Sequence, residues 1–196
     1  MNETLNTIYS RRAVRKYKDI PVSKKLIEQI LDAGRMAPSA INKQPWKFYI
    51  ISEKEQINIL SGQIKKAAAK AILKSGVKRI FRAAKDYLHF SPKIDFLTEE
   101  DSIFHGAPLV IFITAPVNNE WAQLDIGMCS QNMMLAAKSL GIDSCPIGLG
   151  KFVEKTKAYP TLKIPSSDRV LISLIFGYGN ENPAVHERIK NNAVFL

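Results

Sequence analysis

Three arginines and a set of short polar side chains carry most of the chemistry this sequence could perform. Arg11, Arg12 and Arg15 lie together in SRRAVRKY, residues 10–17, within a chain whose formal net charge is +10. A basic surface of this kind favours anionic cofactors, nucleic acid or acidic membranes. Ser39, Asn42 and Gln44 lie in MAPSAINKQPWKFYII, residues 36–51, where two prolines join the end of a helical pattern to the start of a strand. Short donors and acceptors on a loop fixed at both ends suit reading the edge of a planar polar ligand. The same residues also make an ordinary helix-to-strand connection. Cys129 and Cys145 lack CxxC spacing and have no His or carboxylate cluster nearby, so they read as buried free thiols, with no metal site and no structural disulfide.

The elements that must position these residues follow from spacing. Leu5, Ile8 and Tyr9 suggest a short opening helix. Ser23 is placed to cap a helix carrying Leu26, Ile27, Ile30, Leu31 and Gly34, which Pro38 cannot continue. Trp46 to Ile51 has the aromatic and β-branched content of a strand. Ser52 and Glu55 then form an S-x-x-E capping box for a helix with Ile57 and Leu60 turned inward. Beyond Gly62 the helical propensity continues, with a break expected at Ser75 and Gly76. GAPLVIFITA, residues 106–115, reads as a strand buried on both faces. Glu120 to Gly141 reads as a helix of about six turns, apolar on several sides, with Gly141 as its stop. A short link through Asp143 and Ser144 leads to CPIGLG, residues 145–150, and VLISLIF, residues 170–176, reads as another buried strand.

At 196 residues, 46% hydrophobic and 23% charged, the chain has the composition of one globular domain spanning 1–196. Its apolar runs are too short to cross a bilayer, and the start shows no signal-peptide pattern, so a cytoplasmic location is expected. Lys65, Lys66, Lys70, Lys74, Lys78, Arg79, Arg82 and Lys85 concentrate charge in one segment, which reads as a solvated helical face or, alternatively, a nucleic-acid surface. No nucleic-acid motif accompanies it.

SRRAVRKY and PSAINKQPW, followed by a long central helix, a Gly/Pro segment and a GY motif at Gly177-Tyr178, together resemble the nitroreductase family of FMN-dependent oxidoreductases. The resemblance covers most of the chain except roughly residues 61–104. It implies an α+β fold, a central mostly antiparallel sheet flanked by helices, and a homodimer with two FMN sites at the subunit interface. The expected reaction is reduction of nitroaromatics, quinones or related acceptors by NADH or NADPH, with hydride passing through the flavin in a ping-pong cycle.

By motif, Arg11 and Arg188, with Lys190 in reserve, correspond to the family's phosphate clamp, and Arg15 to a group at the flavin N1/O2 edge or ribityl chain. Arg12 and Ala13 fall in the same cofactor segment, where Ala13 replaces a common Ser and removes one hydroxyl contact. Pro38, Ser39, Ala40, Asn42 and Gln44 would approach the flavin from the partner subunit. Pro146, Ile147, Gly148 and Leu149 would face the ring, with the Gly148 backbone N–H near N5; an ordinary glycine turn is the other reading. The resemblance makes 61–104 a variable helical insertion near the active-site mouth, where Phe81, Tyr87, Phe90 and Phe96 line a substrate pocket or else pack a core. Family members that remove halogens or oxidise rings share these motifs. A flavin-binding or nucleic-acid-binding protein without turnover is the alternative of a different class.

Overall fold

The computed structural model describes residues 2–74 and 101–195. Expectations for Ser75 and Gly76, for Lys78, Arg79, Arg82 and Lys85, and for Phe81, Tyr87, Phe90 and Phe96 lie outside them. Helix α1 (Glu3–Ser10) is capped by Asn2, whose Oδ1 accepts the Leu5 N–H at 2.9 Å, and none of its residues is buried. Helix α2 (Lys24–Arg35) starts as expected at Ser23, whose hydroxyl accepts the Leu26 N–H. Strand β1 (Lys47–Ile51) leads into α3 (Lys54–Lys74). This helix begins at Lys54, so Ser52 stands one position ahead of its cap rather than at it. Residues 61–74, assigned from sequence to the insertion, continue α3 and bury Ile64 and Ala68 in the core.

Strand β2 (Leu109–Pro116), helix α4 (Ala122–Ser139), strand β3 (Asp143–Ile147) and strand β4 (Asp168–Gly177) complete the regular elements, with short 3-10 turns at Ala40–Asn42, Gly148–Lys155 and Tyr159–Leu162. Gly141 ends α4 in the left-handed conformation at φ 76°, and the Ile142 N–H returns to the Ala137 carbonyl at 2.8 Å. This is how a helix satisfies its last carbonyls.

The four strands pair antiparallel in the order β1-β2-β4-β3. Leu109, Ile111, Ile113 and Ala115 point to one face, where they meet Ile30 and Leu31 of α2 and Ile126, Cys129 and Met133 of α4. Val110 and Phe112 point to the other, against Ile57, Leu60 and Ile64 of α3. Both faces are therefore covered, and this is why β2 reads as a continuous apolar run although its neighbours are antiparallel. The close crossing of α2 and α4 depends on Gly34, where a Cβ would lie 2.7 Å from Met133 Cγ. The sheet is thus held from both sides and leaves two edges, β1 and β3. Among the described residues no helix is long and apolar enough to cross a membrane.

Candidate active site at the two edges of the sheet

The arginine segment lies along the β3 edge. Ala13 forms a parallel bridge with Ser144, and the Val14 N–H donates to the Ser144 carbonyl at 3.1 Å. Farther along, Lys18 N–H donates to Tyr178 O and Asn180 N–H to Lys16 O, both at 2.8 Å, which fastens the segment to the chain leaving β4. Glu181 completes this edge: its Oε1 accepts the Arg15 N–H across 166 positions. Burial raises the Tyr17 phenol far above its ordinary range, and its hydroxyl donates to Val14 O at 2.7 Å. Burial also raises the Cys145 thiol, against the opposing pull of Arg15 and Arg11. Cys129 is held up to about 12 by burial alone. Both cysteines are free and buried, as expected, and among the described residues no group of His, Cys, Asp and Glu could hold a metal ion.

The three arginines do different things. Arg12 turns back on α1, its Nη1 donating to the carbonyls of Tyr9 and Arg11 at 2.7 Å each. Arg15 is exposed. Arg11 is half-buried, and its Nη1 is buried with no hydrogen-bond partner. Beside them β3 runs through Pro146 and Ile147 into the turn that begins at Gly148. The sequence suggested only a link at Asp143 and Ser144; the strand forms because β3 is an edge, where the missing N–H of Pro146 is tolerated. A Cβ built on Gly148 meets nothing within 4 Å, whereas one on Gly150 would be 2.7 Å from Ser173 Cβ. Gly150 is therefore required by packing, and Gly148 faces open space. Pro146 also lines a cavity of about 620 Å³ shared with Gly127, Ser130 and Met134 of α4 and with Ile172.

The loop at residues 38–44 lies at the other end of the sheet order, ahead of β1. Strand spacing of 4.7–4.9 Å puts the two edges about 14 Å apart. The loop is polar, exposed and locally strained: Ile41, Asn42 and Gln44 have φ of 47°, 56° and 45°. Ser39 Oγ accepts the Gln44 N–H at 2.9 Å, and Gln44 Nε2 donates to Asn42 Oδ1 at 3.0 Å. Asp125 of α4, 1% exposed, accepts the Ala40 N–H at 3.1 Å.

One chain therefore brings the segment of Arg11, Arg12, Ala13 and Arg15 to β3, which leads into the run Pro146, Ile147, Gly148 and Leu149, whereas Pro38, Ser39, Ala40, Asn42 and Gln44 precede β1, the strand at the opposite edge of the sheet. Arg188 and Lys190 stand on the exposed tail, where Arg188 Nη1 donates to the carbonyls of His186 at 2.8 Å and Glu187 at 3.5 Å. That tail, rather than Arg11, holds Arg188. Asp125 and Glu181 were not singled out from sequence. A lone acid in a helical pattern and another after a glycine turn carry no local sign of a partner 85 or 166 positions away.

Comparison with known proteins identifies the family of the chain. The chain is 30% identical to a 4-nitrobenzoate reductase of Pseudomonas putida, over 91% of this chain and 86% of that protein. It is 26% identical to an FMN reductase [NAD(P)H] of Bacillus subtilis, over 99% and 73%. A crystal structure of a nitroreductase with bound FMN from Bacteroides fragilis superposes with a TM-score of 0.76 at 26% identity, covering 100% of this chain and 99% of that one. The description of the nitroreductase family matches residues 8–178, and the chain belongs to that family.

Proposed function

We propose that the protein is a homodimeric FMN-dependent oxidoreductase that takes electrons from NADH or NADPH and delivers them to nitroaromatics, quinones or related electron-poor acceptors, both half-reactions using one site in turn. The observation that carries this reading is the β3 edge, where the Nη1 of Arg11 is buried without a hydrogen-bond partner and the glycine that follows β3, Gly148, has open space where a side chain would be. A cation left without a counter-charge suits a phosphate, and a backbone without a side chain suits a flat ring. The residues present thus fit FMN. When bound, FMN supplies the hydride chemistry that no side chain here provides.

The work left to the chain is electrostatic and steric. Arg11 holds the phosphate, and Arg188 joins it if the tail folds over the site in the dimer. Arg15, its backbone fixed by Glu181, places positive charge beside the ring. The Gly148 N–H acts as a fixed donor, and such preorganised dipoles account for much of what a protein contributes to charge development. Ser39 and Asn42 of the partner subunit close the site, since within one chain they lie at the opposite edge.

Support for the dimer comes from exposed apolar surface. Leu5, Ile8 and Tyr9 of α1, Trp121 and Leu124 around the start of α4, and Val194 and Phe195 of the tail are all exposed, Phe195 to 97%. Such surface calls for a partner. The test is spectroscopic. Purified protein with bound flavin is mixed anaerobically with NADH or NADPH and should lose its yellow colour, then regain it on addition of a nitroaromatic. Flavin that stays yellow with both nicotinamides identifies a binding protein without turnover.

A further inference from the structure

The strained loop raises the question of what holds it in place. Its internal bonds, from Gln44 N–H to Ser39 Oγ and from Gln44 Nε2 to Asn42 Oδ1, fix its shape. They do not fix its position on the molecule. Ala37 anchors one end and Trp46 the other, both buried. Between these anchors the backbone enters the left-handed region three times. At Ile41 it does so with a β-branched side chain, for which that region is a genuine outlier. Such strain persists only where the surroundings over-determine it.

Asp125 supplies an anchor from outside the loop. It lies in the first turn of α4, 1% exposed, and its Oδ1 accepts the Ala40 N–H at 3.1 Å. Its Oδ2 is buried with no partner. A chain that had only to pack this face of α4 would do so with less cost using an apolar residue, because a half-satisfied buried carboxylate is unfavourable. What the carboxylate adds is a fixed acceptor for a loop that would otherwise relax.

We propose that Asp125 is a positioning residue: it sets the seat of residues 38–44 on α4, and through that loop it governs FMN retention and acceptor binding without touching the reacting atoms. The proposal rests on reading the loop as the partner-side wall of the flavin site. It assigns Asp125 to the binding steps and leaves the reduction of flavin to the β3 edge.

Two substitutions in the FMN-loaded dimer separate this from a merely structural role. Asp125→Asn keeps a carbonyl oxygen for the Ala40 N–H, and Asp125→Ala removes it. For Asp125→Ala the expected result is about tenfold faster FMN release and about a tenfold higher KM for a nitroaromatic acceptor, the scale of one hydrogen bond. At saturating nicotinamide its bound flavin should still be reduced at close to the native rate, because the donor at Gly148 is untouched. Asp125→Asn should restore both binding properties. Ala40→Pro deletes the donor instead of the acceptor, and the extended Ser39 at ψ 155° accommodates a following proline; it should reproduce the Asp125→Ala pattern even where that variant folds poorly. Equal defects in Asp125→Ala and Asp125→Asn, or a lowered Tm with unchanged FMN release and KM, would overturn the proposal. Native protein that binds no FMN would instead overturn the reading of the site itself.

Discussion

The two edges of the sheet solve opposite problems. At β3 the arginine segment is bridged to the strand at Ala13 and to the chain after β4 at Tyr17, while Arg11 Nη1 is left unpartnered. At β1 the loop turns left-handed at three residues and spends its polar groups on itself and on Asp125. One edge has an ordinary backbone and an unsatisfied charge; the other has satisfied side chains and a strained backbone. On the proposed reading, one edge holds ligand affinity in reserve as electrostatics and the other as shape, so the two should respond to different mutations.

The largest expected effect breaks the electrostatic edge. Arg11→Ala should weaken FMN binding about 10- to 100-fold, the equivalent of a charge-assisted hydrogen bond of roughly 1.5–3 kcal/mol. Riboflavin, which lacks the phosphate, should lose far less. Because Arg11 Nη1 is buried without a partner, the unfolding midpoint of the flavin-free protein should stay level or rise. Titration of both flavins against native and variant protein reads this directly, and equal losses for the two would remove Arg11 from the phosphate.

A second contrast sharpens the account within one turn. Gly150→Ala drives a Cβ into Ser173 and should cost about 1–3 kcal/mol of stability, as overpacking does. Gly148→Ala adds a methyl to open space and should leave denaturant unfolding almost unchanged, yet it should slow flavin reduction. If Gly148→Ala instead destabilises the protein and leaves reduction intact, CPIGLG is a structural turn.

The arginine cluster beside β3 was legible in the sequence because its signal is residue type, whereas β3 itself was read only as a link at Asp143 and Ser144. Three clustered arginines announce an anion-binding site wherever the chain runs, and apolar runs such as LVIFIT announce buried strands. What could not be read was how each charge is spent: Arg12 on the end of α1, Arg188 on its own tail. The loop at β1 was legible as a polar connection between proline and strand. Its geometry was not, because an isoleucine at position 41 argues locally against the left-handed backbone it adopts. Bonds within the loop hold that shape, and the acceptor proposed to seat it on α4, Asp125, lies 85 positions from Ala40.

A smaller effect concerns pH. Burial raises the thiol of Cys129 from 9.0 to about 12, and raises Cys145 and Tyr17 as well. A group whose native pKa lies above its unfolded value adds stability that is complete below the unfolded pKa and disappears as pH climbs through the native one. Stability should therefore be flat below about pH 8.5 with respect to these groups and decline above it. Urea unfolding between pH 8 and 11 should show the decline, and Cys129→Ala should make it shallower.

On the proposed reading, each flavin site joins the β3 edge of one subunit to the 38–44 loop of the other. Complementation tests it most directly. Arg11→Ala chains and Asn42→Ala chains, each deficient in FMN binding alone, are co-expressed with different tags and purified as mixed dimers. If the site spans subunits, the Asn42→Ala chain's intact arginine edge meets the Arg11→Ala chain's intact loop, so one site per dimer should bind FMN with native affinity. If each site lies within one chain, both sites carry a defect and no native-affinity site appears, which would contradict the account.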